Sequence, residues 1–314
     1  MKFNKAVFVG ELPLSSEQRQ RLDQNITKRA NVSDISNVKA EMADADALFV
    51  GFGVKVDKDI MDSAPNLKYI GVYATAFDKI DTEYAKKRDI AVCNVGGYST
   101  EAVSEFVFAT LLDHIRNFDR AKERIHNGDI DFIPSELAKN KELKDKVFGV
   151  IGLGKIGSRV AQIALGFGCD VRYWSRNRKK ELESIGVKYE DADSLISEAD
   201  VLSLHLAITS DTKNFLNAAR IQNLKSGAIL MSTVGWGDVI DISALEERLK
   251  KGDMTFIIEA TEDSGDQVKG FSKYPNCIMY PPVVLTAESL VLRQQIFVDN
   301  VENFLKGAPT NKVN

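Results

Sequence analysis

Apolar residues cluster in short continuous runs at 6–9, 47–50 and 69–72, and these read as buried strands. Between them, 15–22 and 57–63 carry helical spacing, and the run 90–92 closes this first series. Strand alternating with helix predicts an α/β unit built on a parallel sheet. The pair Gly96-Gly97 follows, and then Val103, Phe106, Val107, Leu111 and Ile115 recur at helical spacing. That pattern predicts a long amphipathic helix behind a hinge. A second alternating series begins at Lys146, with strands expected at 147–151, 171–174, 201–204, 228–231 and 256–258. The last helix, expected over 287–305, has no sheet of its own and should return to pack on the first unit.

Composition narrows the field. A chain of 314 residues with 44% apolar and 27% charged residues can build more than one core, and it is not globally disordered. Lys plus Arg number 41 against 45 Asp plus Glu, so the formal net charge of −4 argues against nucleic acid as a partner. No apolar stretch approaches the roughly 18 residues of a membrane span. The first apolar run, at 6–9, is too short for a signal peptide. Cys93, Cys169 and Cys277 are too few and too scattered for a disulfide framework or a metal site. The expectation is a soluble, cytoplasmic protein with a small-molecule substrate.

Gly152-Leu153-Gly154-Lys155-Ile156-Gly157 is the sharpest local signal. It directly follows the strand at 147–151 and opens a helical pattern at Val160, Ile163 and Ala164. In that setting glycines permit a tight turn, close backbone approach to a pyrophosphate and close helix–strand packing. The helix N-terminus adds partial positive charge. The next strand should end in an acid that binds the ribose hydroxyls. It ends instead in Ser175-Arg176-Asn177-Arg178, a hydroxyl with guanidinium groups suited to a 2′-phosphate. NADP is therefore favoured over NAD.

Along nearly its whole length the chain resembles the D-isomer-specific 2-hydroxyacid dehydrogenase family. The resemblance is carried by 71–81, by 94–105, by the glycine loop, by Leu204-His205-Leu206-Ala207 with Thr209 and Thr212, and by 227–241. It implies two Rossmann-like doubly wound domains with parallel sheets and a cofactor cleft between them. One is a discontinuous, flavodoxin-like substrate domain (1–97 plus 285–314), and the other a dinucleotide-binding domain (98–284). It further implies substrate binding at Ala74, Thr75 and Ala76, and cofactor contacts from His205, Thr212, Thr233, Val234 and Glu259. A homodimer built on the helix after Gly97, through Phe106, Val107 and Leu111, is also implied.

The family's catalytic trio is an arginine gripping the substrate carboxylate, a histidine exchanging a proton with the hydroxyl, and a glutamate steadying that histidine. None of the three is matched. Trp236 stands in the arginine's place and Pro282 in the histidine's. The count from Glu259 lands on Ser264 for the glutamate, with Glu262 and Asp263 close by. The chain holds only His114, His126 and His205, none near the expected proton-transfer position. Glu262 and Tyr280 are weak substitutes, since an ordinary tyrosine is a poor base at neutral pH. Three readings stay open: an NADP-dependent oxidoreductase with a rebuilt site and a substrate other than an ordinary 2-keto acid, an inactive dinucleotide-binding scaffold or sensor, and an ordinary dehydrogenase whose catalytic groups lie elsewhere.

Overall fold

The computed structural model describes residues 1–10, 12–130, 140–234, 237–260 and 265–314. They form two compact units, Met1–Ser99 with Thr286–Asn314, and Thr100–Leu285. Among them no helix is long and apolar enough to cross a membrane.

The first unit is a five-stranded parallel sheet of β1 (Phe3–Val9), β2 (Ile26–Val32), β3 (Ala47–Val50), β4 (Tyr69–Val72) and β5 (Ala91–Asn94). Its order is β2-β1-β3-β4-β5, so the chain's direction of travel reverses between β1 and β3. The apolar runs mark four of these strands. β2 escapes the pattern because it is an edge strand, buried only at Ile26 and Val32, with the exposed Lys28 and the half-buried Arg29 in its middle. Helices start where polar caps allow. Ser15 accepts the Gln18 amide ahead of Ser16–Asp23, and Asp57 accepts the Ile60 amide ahead of Lys58–Asp62. Helix Ala287–Leu305 opens with a capping box between Thr286 and Ser289. It packs Phe297, Val298 and Val301 against Phe8, Phe49, Tyr69 and Tyr73.

The second unit is a seven-stranded sheet, also parallel throughout. It contains β6 (Val147–Ile151), β7 (Asp170–Trp174), β8 (Lys188–Tyr189), β9 (Val201–Leu204), β10 (Ile229–Ser232), β11 (Thr255–Glu259) and β12 (Cys277–Tyr280). The order β12-β11-β10-β9-β6-β7-β8 puts the switch point between β6 and β9. Ligands of open α/β sheets bind outside the carboxyl ends of the strands at such a point.

The stripe on helix Thr100–Arg116 corrects one expectation. Val107 and Leu111, assigned to a dimer face, are wholly buried in the unit's own core with Phe148, Val160 and Ala161. Their apolar spacing serves packing on helix Lys155–Gly166, and only Phe106 of the three stays half-buried. The helix ends at Asn117, whose φ of 52° breaks it before Phe118–His126. Apolar exposure on this stretch sits instead on Phe118 and Ile125.

Candidate functional site

The three glycines of the loop after β6 do three different jobs. Gly152 has φ +94°, and a Cβ there would stand 2.7 Å from the His205 carbonyl oxygen. A Cβ on Gly157 would stand 2.0 Å from the Gly152 carbonyl oxygen, so only glycine lets helix Lys155–Gly166 start this close to the strand. Gly154, the residue before that helix, faces open space, with nothing within 4 Å of its would-be Cβ. Two glycines are thus demanded by the protein's own packing, and the third leaves room above a helix N-terminus. Lys155 and Ile156 form the first turn there, whose amides have no intrahelical acceptor. This cradle fits a dinucleotide pyrophosphate.

Across the switch point, His205 follows β9. Its Nε2 lies 2.8 Å from Ser203 Oγ and its Nδ1 lies 2.9 Å from Thr233 Oγ1. Thr233 gives its one hydroxyl proton to the Leu204 carbonyl at 3.1 Å, so it accepts from Nδ1. Nδ1 therefore carries a proton, and burial, which pushes the ring's pKa down to about 3, keeps it neutral. Both nitrogens are spent inside the protein, so His205 has no polar side-chain atom left for a nucleotide. Thr212 is likewise occupied, donating to the Ala207 carbonyl at 2.6 Å and accepting the Thr209 amide at 2.8 Å. Val234 is clipped to Ser232, which donates to its carbonyl at 3.0 Å.

The basic turn after β7 is less uniform than its sequence suggests. Ser175 is buried and donates to the Asn177 carbonyl at 2.6 Å. Arg178 is held by both oxygens of Glu183, at 2.9 and 2.7 Å, and lies over the Tyr189 ring. Arg176 is exposed and makes only a long 3.5 Å pair with Asp211.

At the other end of the sheet, the side chains beside the family's catalytic positions are tied into structure. Glu259 Oε1 accepts the amides of Val283 and Val284, both at 2.7 Å, and so fixes the chain just past the exposed Pro282. Tyr280 donates to Asp113 at 3.3 Å, and its ring edge meets Phe106. Burial, with Asp113 beside it, pushes its pKa up to about 12, which makes it a worse proton carrier than an ordinary tyrosine. Trp236, Glu262, Asp263 and Ser264 lie outside the described residues.

In the first unit, the loop after β4 is pinned at the sheet edge. Asn94 Nδ2 donates to the Thr75 carbonyl at 2.7 Å, and the Val95 amide to the Ala74 carbonyl at 3.2 Å. Ala74 is buried, whereas Thr75 and Ala76 are exposed. The cysteines are all free and buried. Burial lifts Cys93 and Cys169 to about 11 and Cys277 to about 12. Among the described residues no cluster of metal-ligating side chains occurs.

A glycine turn between strand and helix, at the switch point of a parallel sheet with this strand order, defines a dinucleotide-binding domain. Comparison with known proteins agrees. Residues 108–282 match the family model for D-isomer specific 2-hydroxyacid dehydrogenase, NAD binding domain. A glyoxylate reductase from Thermococcus litoralis is 34% identical over 284 residues, spanning 87% of this chain and 85% of the relative. The chain belongs to the D-isomer-specific 2-hydroxyacid dehydrogenase family. Solved structures extend the likeness. An acyclic imino acid reductase in complex with NADPH and D-Arg superposes with a TM-score of 0.84 at 25% identity, over 99% of this chain and 100% of that one. D-lactate dehydrogenase from Aquifex aeolicus, complexed with NAD and lactic acid, gives 0.82 at 28% identity over 96% of each chain.

Proposed function

We propose that the protein is an NADP(H)-dependent oxidoreductase whose substrate is not an ordinary 2-keto acid. The observation that carries the reading is the glycine cradle, whose middle glycine the fold itself does not require. Gly152, Gly154, Lys155, Ile156 and Gly157 would take the pyrophosphate, and Ser175 with Arg176 the 2′-phosphate. Thr233, Val234 and the His205 backbone would line the nucleotide's other side. In this reading 98–284 is the cofactor domain, and 1–97 with 285–314 the substrate domain, acting as a cytoplasmic homodimer. When bound, the cofactor supplies a hydride, and the protein must place the acceptor and manage any proton.

The second half of the reading rests on Pro282, which can neither give nor take a proton, and on the engaged Tyr280. A protonated imine needs a hydride and no external acid. The likeness to an imino acid reductase thus supports a substrate outside the 2-keto acids. The same tied-up side chains are what favour the second reading, a dinucleotide-binding scaffold without turnover.

Calorimetry with NADPH and NADH, followed by NADPH oxidation in the presence of glyoxylate, pyruvate and hydroxypyruvate, tests both halves. The expected outcome is tighter binding of NADPH and turnover of these acids far below the ~10 s⁻¹ typical of enzymes. Robust turnover of any of them would refute the substrate claim, and failure to bind either cofactor would refute the reading as a whole.

A further inference from the structure

Helix Ala287–Leu305 holds Arg293 over two tyrosine rings. Its guanidinium carbon stands 4.5 Å from the Tyr73 ring centre and 5.5 Å from that of Tyr98. Tyr73 follows β4 directly, and Tyr98 follows the glycine pair beyond β5. The cation therefore sits at the carboxyl edge of the first sheet, the edge at which open parallel sheets take ligands. No carboxylate among the described residues lies within salt-bridge distance of it, and its buried Nε meets no hydrogen-bond acceptor.

Arg21 shows what this fold does with a structural arginine. It reaches the same helix at Asp299 and Glu302, at 2.8 and 3.0 Å. Arg293 has two π faces and the Tyr73 hydroxyl beside it, neutral groups that attract a cation but leave the guanidinium fork without the planar anion it matches. Tyr73 leads directly into the loop of Ala74, Thr75 and Ala76, where the Val95 amide holds the Ala74 carbonyl and Asn94 the Thr75 carbonyl. A half-buried cation without an acid, over the tyrosine that leads into a pinned loop at a ligand-binding edge, is suited to an anion.

We propose that Arg293 grips the carboxylate of a small organic acid at the substrate loop, the task for which Trp236 is unsuited. The inference deepens the oxidoreductase reading and rests on it for the word substrate. It makes the substrate an acid, held by an arginine from the last helix and not by one following β10.

Oxamate, a carboxylate that cannot be reduced like a keto acid, is the probe. Calorimetric titration of the full chain, with and without NADPH, is expected to show oxamate binding. Arg293→Gln should weaken it at least about tenfold, as the loss of a charge-assisted pair does, with NADPH affinity unchanged. Arg293→Lys, which keeps the charge and loses the fork, should fall between them, and it decides the matter if the Gln variant melts early. Oxamate affinity unchanged in both variants overturns the proposal. So does a wild-type protein that binds NADPH but no oxamate, which leaves the cofactor reading intact. Failure to bind NADPH overturns that reading instead, and the titration without cofactor still judges Arg293.

Discussion

The carboxyl ends of β6 and β9 and those of β11 and β12 belong to one sheet, yet they treat their polar groups in opposite ways. Between β6 and β9 the useful groups are backbone. The loop opens at Gly154, while Gly152 and Gly157 hold it against its neighbours. Beyond β11 and β12 the side chains that the structure describes are engaged within the fold. Glu259 is closed on two amides, Tyr280 is closed on Asp113, and Pro282 has nothing to offer. A site made of backbone survives almost any change of neighbouring side chains as long as its glycines remain. A proton-transfer site is lost with single residues. Cofactor binding and proton transfer thus depend on different kinds of group within one domain.

The glycines give the largest expected effects and separate fold from binding. Gly157→Val must move the Gly152 carbonyl, so it should cost ~3 kcal/mol or more and lower the melting temperature sharply. Gly154→Ala meets nothing within 4 Å, so its melt should stay near wild type. Its NADPH affinity should nonetheless drop about tenfold or more, because the methyl group occupies the pyrophosphate's approach. Calorimetry and thermal melts on the pair check this. Unchanged NADPH affinity in Gly154→Ala would remove the cradle from the argument.

A smaller effect tests whether the histidine at the switch point is structural. With the folded pKa near 3, below the ordinary 6.5, the native state refuses a proton that the unfolded chain accepts. The proton uptake therefore costs nothing above pH 6.5 and destabilises the fold progressively as pH falls from there towards 3, by on the order of a few kcal/mol. His205→Gln should flatten that part of the stability–pH profile, at a cost of ~1 kcal/mol at neutral pH for its disturbed bonds to Ser203 and Thr233. An equally steep profile in the variant would show that other groups set the acid limb.

These outcomes also show why some of the molecule is legible in its sequence. The buried strands of both sheets announce themselves because strands covered on both faces must be continuously apolar. The edge strand β2, with polar residues along its middle, does not. The glycine loop reads clearly because its main reasons are local, a φ of +94° at Gly152 and the contact of Gly157 with the Gly152 carbonyl, although the approach of Gly152 to His205 is not. His205 reads as a nucleotide contact, but that Thr233, from a different strand, holds its ring cannot be read from the sequence. Arg293 leaves no signal at all, since its significance lies in acids it lacks and in Tyr73 and Tyr98, both remote along the chain. The apolar stripe at Val107 and Leu111 is visible in sequence, but whether it faces a partner or the chain's own core is decided only by the helix packed against it.

The smallest expected effect concerns the cofactor's 2′-phosphate, where two neighbouring arginines differ. Arg178 is already neutralised by two hydrogen bonds to Glu183 and laid over Tyr189. To serve a phosphate it would first have to give up that carboxylate. Arg176 is exposed, and its 3.5 Å pair with Asp211 is of the kind worth little in water. A 2′-phosphate carrying more charge than one carboxylate should displace Asp211 readily. Arg176→Ala is thus expected to narrow the NADPH-over-NADH preference by about fivefold to tenfold, with Arg178→Ala changing it less than about twofold. Ser175→Asp should go further and favour NADH, because a carboxylate at the end of β7 repels the phosphate and accepts from ribose hydroxyls. Affinity ratios from calorimetry at one fixed salt concentration decide the order. If Arg178→Ala proves the more damaging, Glu183 must release that arginine when cofactor binds, and the turn after β7 is then a cofactor-dependent switch and not a preformed pocket.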